Sequence, residues 1–280
     1  MDSTVHAGWV NSKALEVLGI NRDTPNPVGG VIVRDASGDA TGILLDYAAY
    51  AAVQKIGRWS PRQMEQALAW SIGQLNAEGV TAIKEAMADG LALDGLAALQ
   101  RAGKLNAHLG VHLIWRSPEG GSQEEMEQTI ARRAAAAGPD LHTDFVKIML
   151  DGIPPSQTAA ILEPYVQDAR HAEPHRGYLT LEPAQLIEDV VRMDAQGVTV
   201  KIHATGDRSA RLALDAFEAA RKANHHLNLR HEISHAEMIS LEDLPRFKAL
   251  NVTAEMSPIL WYPSPLHAAM ETVLGKERAG

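Results

Sequence analysis

The chain has 280 residues, 45% of them apolar and 22% charged, which supplies core material for one large α/β barrel or two ordinary domains. A formal charge of −9 without a basic run argues against a nucleic-acid partner, because phosphate binding needs clustered Lys and Arg. Cysteine is absent, so disulfides, thiolate nucleophiles and Cys-based zinc sites are excluded, and a transition-metal site has to draw on His, carboxylate or modified Lys.

In chain order, residues 11–19 predict a short helix capped by Asn11 or Ser12. Pro25, Pro27, Gly29 and Gly30 mark a loop. Residues 31–34 and 41–45 flank Ser37-Gly38-Asp39 and predict a hairpin. Ser60-Pro61 opens a helix that Gly79 ends, and a strand over 80–85 follows at once. A helix over 90–102, a strand over 107–115, an Ala-rich helix over 122–137 and a strand over 144–150 come next. After an irregular stretch, helices over 182–196, 207–223 and 241–249 alternate with strands over 198–203, 228–235 and 252–256, and the tail 266–278 is helical.

Strands followed by helices in succession imply parallel pairing through right-handed crossovers. Residues 1–58 thus read as an insertion or subdomain with a helix and a β-hairpin, and residues 59–280 as a six-stranded α/β region. A doubly wound sheet uses six strands, whereas a closed barrel needs eight. No window holds the roughly 18 apolar residues of a membrane span. The first residues have neither the basic region nor the apolar stretch of a signal peptide, so a cytoplasmic location is expected.

Three of the strand-like segments carry a candidate metal ligand: Lys147, His203 and His235. Ligands on strands followed by helices are how a barrel builds a site at its C-terminal face. His203 is alternatively a core histidine bonded to backbone. Alternation puts Lys201 and His203 on one strand face, and His231 and His235 on one face of theirs. His231 would lie deeper, either supporting the site or packing. Lys147 sits mid-strand between Phe145 and Met149, where a charge needs a partner such as Asp151 or Glu85, or conversion to a carbamate. Glu85 ends its predicted strand as a ligand or positioning group, or else pairs with Lys84. Asp207 and Arg208 cap and orient the helix after His203. Trp9, Trp261 and Tyr262 are candidate pocket aromatics, with simple packing as the alternative. No glycine-rich phosphate loop and no Gly-x-Ser-x-Gly elbow is present.

Several segments together resemble the amidohydrolase superfamily, and within it the YtcJ-like amidohydrolase 3 family that includes N-substituted formamide deformylases. They are residues 6–15, 29–35 and 41–44, Gly79-Val80-Thr81, Lys147 with Asp151-Gly152, residues 203–208, and residues 231–236. The resemblance implies a partial (β/α)8 TIM-type barrel of about strands two to seven. It implies a carboxylated Lys147, His203 and His235 as metal ligands on strands four, five and six. One or two divalent ions, zinc by expectation, would serve to hydrolyse an amide or formamide-like C–N bond. By the same resemblance His6 and Trp9 reach toward the substrate, and Glu85 and His231 join them as substrate-side residues. The first-strand His-x-His pair and the last-strand Asp base of that family have no match, and Ser234 stands where relatives often have Glu. The expectation is therefore a fragment of such an enzyme.

Two alternatives stand beside it. One is a complete six-stranded hydrolase using His203, His235 and a carboxylate. The other is an inactive barrel segment serving as a binding or oligomerisation module, since open strand edges invite pairing and a homodimer. The expected partner is a small-molecule amide, with no nucleic acid and no membrane.

Overall fold

The computed structural model describes residues 1, 5–57, 59–117, 121–168, 173–226, 228–257, 262 and 264–279, so Trp261 and His171 lie outside the described residues. Compactness divides the chain into one unit of Met1–Ala49 with Met149–Gly280 and another of Tyr50–Ile148.

In the first unit, β1 (Ala7–Trp9), β2 (Gly30–Arg34) and β3 (Ala40–Asp46) form an antiparallel sheet in the order β1-β3-β2. The hairpin β2–β3 turns where Asp35 accepts the backbone N–H groups of Ser37 and Asp39, the local bonding that makes Asp a turn residue. Helix α1 (Ser12–Leu18) is capped by Asn11 Oδ1, which accepts from Ala14 N at 2.9 Å, and it ends on Gly19 at φ 73°. Helix α2 (Tyr47–Ile56) follows β3 directly and was not anticipated; it starts in this unit and continues into the next.

In the Tyr50–Ile148 unit, α3 (Pro61–Ala77) starts with a reciprocal capping box between Ser60 and Gln63 and with Pro61 in its first turn. The parallel strands β4 (Ala82–Ala88), β5 (His108–Trp115) and β6 (Leu141–Met149) run in that order, separated by α4 (Gly90–Arg101) and α5 (Gln123–Ala136). Leu93, Leu96, Leu99, Val111, Leu113 and Trp115 are fully buried in its core.

From Met149 the chain re-enters the first unit. A stretch without strands, containing one 3₁₀ turn at Pro154–Ser156, leads to α6 (Pro183–Ala195). Then β7 (Thr199–Ala204), α7 (Asp207–Asn224), β8 (Glu232–His235), α8 (Leu244–Ala249) and β9 (Thr253–Met256) follow, with β7-β8-β9 parallel in register Lys201↔Glu232↔Thr253. Every residue of β7 is buried, as a strand covered on both faces requires. Helices α9 (Pro265–Leu274) and α10 (Lys276–Ala279) divide the expected helical tail at Gly275 and bury Met270, Val273 and Leu274 against Ile161 and Tyr165.

Six parallel strands with intervening helices, preceded by the small antiparallel sheet, are the α/β class and partial-barrel order expected from the sequence. Two strand limits are corrected. The strand expected at 80–85 extends to Ala88, so Glu85 is mid-strand and not terminal, and the one expected at 228–235 begins only at Glu232. Among the described residues no helix is long and apolar enough to cross a membrane.

Candidate active site

Within the unit of Met1–Ala49 and Met149–Gly280, three imidazoles gather. His203, at the end of β7, has its ring centroid 4.7 Å from that of His235 at the end of β8, with an edge-on angle of 68°. His6, just before β1, lies 5.3 Å from His203 with the rings tilted by 40°. His203 and His6 are buried, at 1% and 7% exposure, and His235 is half-buried at the edge of the cluster.

Each ring is held by a different device. His203 Nε2 sits 3.1 Å from the carbonyl oxygen of Gly152. A carbonyl only accepts, so Nε2 carries the hydrogen and the lone pair of the neutral ring is on Nδ1. The same carbonyl accepts from Thr205 Oγ1 at 2.6 Å. His6 Nδ1 is 2.5 Å from Asp46 Oδ1, whose other oxygen accepts from Tyr178 Oη at 2.8 Å. His235 Nδ1 is 3.2 Å from Ser257 Oγ. His235 and Ala236 occupy the left-handed region at φ 72° and 47°, as does Asp46 at φ 47°. Such conformations cost about 1–3 kcal/mol each for non-glycine residues and persist where the surroundings over-determine them.

Beneath His203 lies Asp151, which is 2% exposed. Its carboxylate accepts from the backbone N–H groups of Ala160, Thr205 and Gly206 at 3.0, 3.1 and 3.0 Å and from Ser209 Oγ at 2.5 Å. Burial pushes its pKa up to about 7, while the bonds from Ser209 and those three backbone groups pull the other way. Oδ1 is 3.6 Å from His203 Nε2. Asp151 thus ties the irregular stretch to the β7–α7 turn and fixes where His203 emerges. The expected capping role is corrected: Gly206 is the N-cap of α7, without a side-chain bond, and Asp207 opens the helix and accepts from Leu162 N at 2.7 Å.

Deeper on β7, Lys201 is 1% exposed between two carboxylates, with Nζ 2.6 Å from Glu255 Oε2 and 3.1 Å from Glu232 Oε2. Glu237, two residues beyond His235, is pushed up to about 7 by burial and then by the charge of Asp151.

The other expected site residues fall elsewhere. Lys147 is buried on β6 in the Tyr50–Ile148 unit. Glu85 is half-buried on β4 of that unit, where its Oε1 accepts from Met87 N at 3.0 Å. Trp9 is 85% exposed and lines a shallow surface hollow with Asn11, Leu15 and Thr41, and Tyr262 is 70% exposed. His231 is fully buried: Nδ1 accepts from Val200 N at 3.0 Å, Nε2 meets Asp194 Oδ1 at 2.9 Å, and the ring stacks on Phe217. With both nitrogens engaged and no exposed surface, His231 packs the core and does not meet a substrate.

Imidazole nitrogens suit a borderline divalent ion in donor type. In number the fit is partial, because among the described residues no group of three His, Cys, Asp or Glu is arranged to hold a metal. What the cluster does as it stands is present two neighbouring ring-nitrogen donors, His203 and His235, on strand ends, with His6 beside them. Sequence reasoning missed Asp46, Tyr178, Ser209 and the Lys201–Glu232–Glu255 group. Asp46 had one legible signal: a carboxylate ending a hairpin strand directly before a helix.

An amidohydrolase family model matches residues 2–280. The chain is 27% identical over 261 residues to YtcJ of Bacillus subtilis (strain 168), covering 90% of this chain and 46% of the relative. It is 28% identical over 233 residues to the N-substituted formamide deformylase of Arthrobacter pascens, covering 79% of this chain and 41% of that one. Among solved structures, an uncharacterized metal-dependent hydrolase from Pyrococcus horikoshii OT3 superposes with a TM-score of 0.70 at 23% identity, over 98% of this chain and 50% of the other. The chain spans about half the length of the relatives it matches. A match along nearly its whole length shows that the chain belongs to the amidohydrolase family.

Proposed function

We propose that this chain contributes the imidazole part of a metal-dependent hydrolase site acting on non-peptide C–N bonds of an amide or formamide-like small molecule. The observation that carries the reading is the approach of buried His203 to half-buried His235 at the ends of adjacent strands. The likeness to a formamide deformylase supports the substrate class, and the likeness to a metal-dependent hydrolase supports the ion.

In this reading His203 offers Nδ1 while Gly152 O holds Nε2–H, and His235 is the second donor. Lys147, buried on β6, is proposed as a carboxylated third donor on the strength of the sequence resemblance alone. Held by these residues, a divalent ion, zinc by expectation, would lower the pKa of a bound water and polarise the carbonyl. Asp151 acts on the reaction only by holding the β7–α7 turn under His203. A small amide as partner, a homodimer and a cytoplasmic location complete the proposal.

The test is cobalt and zinc titration of the purified protein, followed by amine release from N-substituted formamides and simple amides. His203→Ala and His235→Ala are expected each to weaken metal binding at least about tenfold. Unchanged affinity in the double variant would remove the ligand assignment. Metal-loaded protein that turns over none of the panel would remove the substrate class.

A further inference from the structure

The hydrogen bonds around His6 carry more than its place beside the cluster. His6 is brought to the site by β1, and the partner that holds it comes from the end of β3: Asp46 N donates to His6 O at 2.8 Å, while Asp46 Oδ1 meets His6 Nδ1 at 2.5 Å. Backbone and side chain of one residue thus grip backbone and side chain of the other. Asp46 takes the left-handed φ of 47° to do so.

Tyr178 braces the carboxylate from the opposite side. Its hydroxyl lies 2.8 Å from Asp46 Oδ2 and 2.9 Å from Gly29 O. Gly29 O also accepts from Tyr47 N at 3.1 Å, so the brace is tied back to the residue next to Asp46. Asp46 is 3% exposed, and an added Cβ on Gly152 would come within 3.0 Å of its Oδ2. The carboxylate therefore has little room to turn.

We infer that Asp46 and Tyr178 are a positioning pair that fixes the angle of His6 and the hydrogen on its Nδ1 beside His203 and His235. A carboxylate receives hydrogens and gives none, so the hydrogen of the 2.5 Å contact belongs to His6 Nδ1. The logic is that of a base oriented by a buried carboxylate: the acid sets tautomer and angle and itself touches no substrate. In the hydrolase reading, on which the catalytic part of this inference rests, the pair sets the angle at which His6 stands beside the group bound at His203.

Two readouts on the full chain test it. Nitrogen-15 spectra of histidine-labelled protein are expected to show a strongly downfield Nδ1 proton from His6. That signal is lost in His6→Gln and in Asp46→Leu, which removes the acceptor. Tyr178→Phe is the milder variant; it keeps the tautomer and lowers turnover roughly tenfold through loss of one bond to the carboxylate. Asp46→Leu lowers kcat by on the order of 10²-fold with KM within a few-fold. An Nε2–H tautomer at His6 in the unsubstituted protein overturns the inference, and so does a kcat unmoved by both Asp46→Leu and Tyr178→Phe. If no substrate of the panel is hydrolysed, the hydrolase reading falls, and the spectra still decide the tautomer.

Discussion

His231 Nε2 and Asp194 Oδ1 meet at 2.9 Å in the interior between α6, α7 and β8, with neither residue exposed above 1%. Val200 N donates to His231 Nδ1, so that nitrogen bears no hydrogen and the ring is neutral, donating from Nε2. Arg221 Nη1 at 2.8 Å, Asn224 Nδ2 at 2.7 Å and His226 Nε2 at 3.4 Å also approach the carboxylate. This is a structural knot, and it explains why a histidine four residues from His235 takes no part in the site.

Acid should loosen that knot. Burial, the main cause, lowers the His231 pKa below 6.5, and Asp194 restores only part. Burial alone would raise Asp194, but the bonds from His231 and Asn224 outweigh it and its pKa falls below 3.8. Both folded values are depressed, so both contributions are complete above the unfolded values and are lost as pH falls through the folded ones. Melting temperature is expected to drop first below about pH 6.5 from His231 and again below about pH 4 from Asp194. In His231→Phe the first drop should vanish. A profile identical to the unsubstituted protein's would refute the assignment.

Asp151→Ala leaves three backbone N–H groups and Ser209 Oγ without their acceptor in the interior. A destabilisation of roughly 3–5 kcal/mol is expected in urea unfolding. Ser209→Ala removes a hydroxyl shared between Asp151 Oδ2 and Gly206 O and should cost about 1–2 kcal/mol. Similar midpoints for the two variants would mean that the serine, and not the backbone tie, carries the stability.

Lys201→Met strips the buried cation from between Glu232 and Glu255. The carboxylate of Glu232, itself 6% exposed, is then the main cost, about 3 kcal/mol or more. Adding Glu232→Gln should recover part of the loss, which a double-mutant cycle measures. Strict additivity would show that the two side chains are not energetically coupled.

Gly206→Ala is expected to fail through contact and not through backbone angle. An added Cβ would lie 2.0 Å from Ala160 O, at the start of α7. Overpacking of backbone against backbone should cost roughly 2–3 kcal/mol. A loss well under 1 kcal/mol would show that the 150–160 stretch yields easily.

Most helix starts were legible because caps are local: Asn11, Ser60 and Ser122 each bond within three residues. His203 and His235 were legible because a ligand at a strand end announces itself. The placement of His6 was not. It depends on Asp46, 40 residues away, and on Tyr178, 132 residues beyond that, with a positive φ that no propensity requires of Asp. His231 misled for the opposite reason: its spacing from His235 matches a shared strand face, but β8 starts only at Glu232 and the ring turns to Asp194. Helix α2 was missed because Tyr47–Ile56 follows its strand with no intervening loop.

The acceptor that orients His203 is the main-chain carbonyl of Gly152, which Thr205 also engages. A side-chain acceptor can be deleted by one codon change; a peptide oxygen survives every substitution at its own position. The ring's orientation is therefore genetically sheltered at its anchor, and its vulnerability is displaced to neighbours. The closest of these is Thr158, whose Oγ1 would lie 2.0 Å from any Cβ added at Gly152.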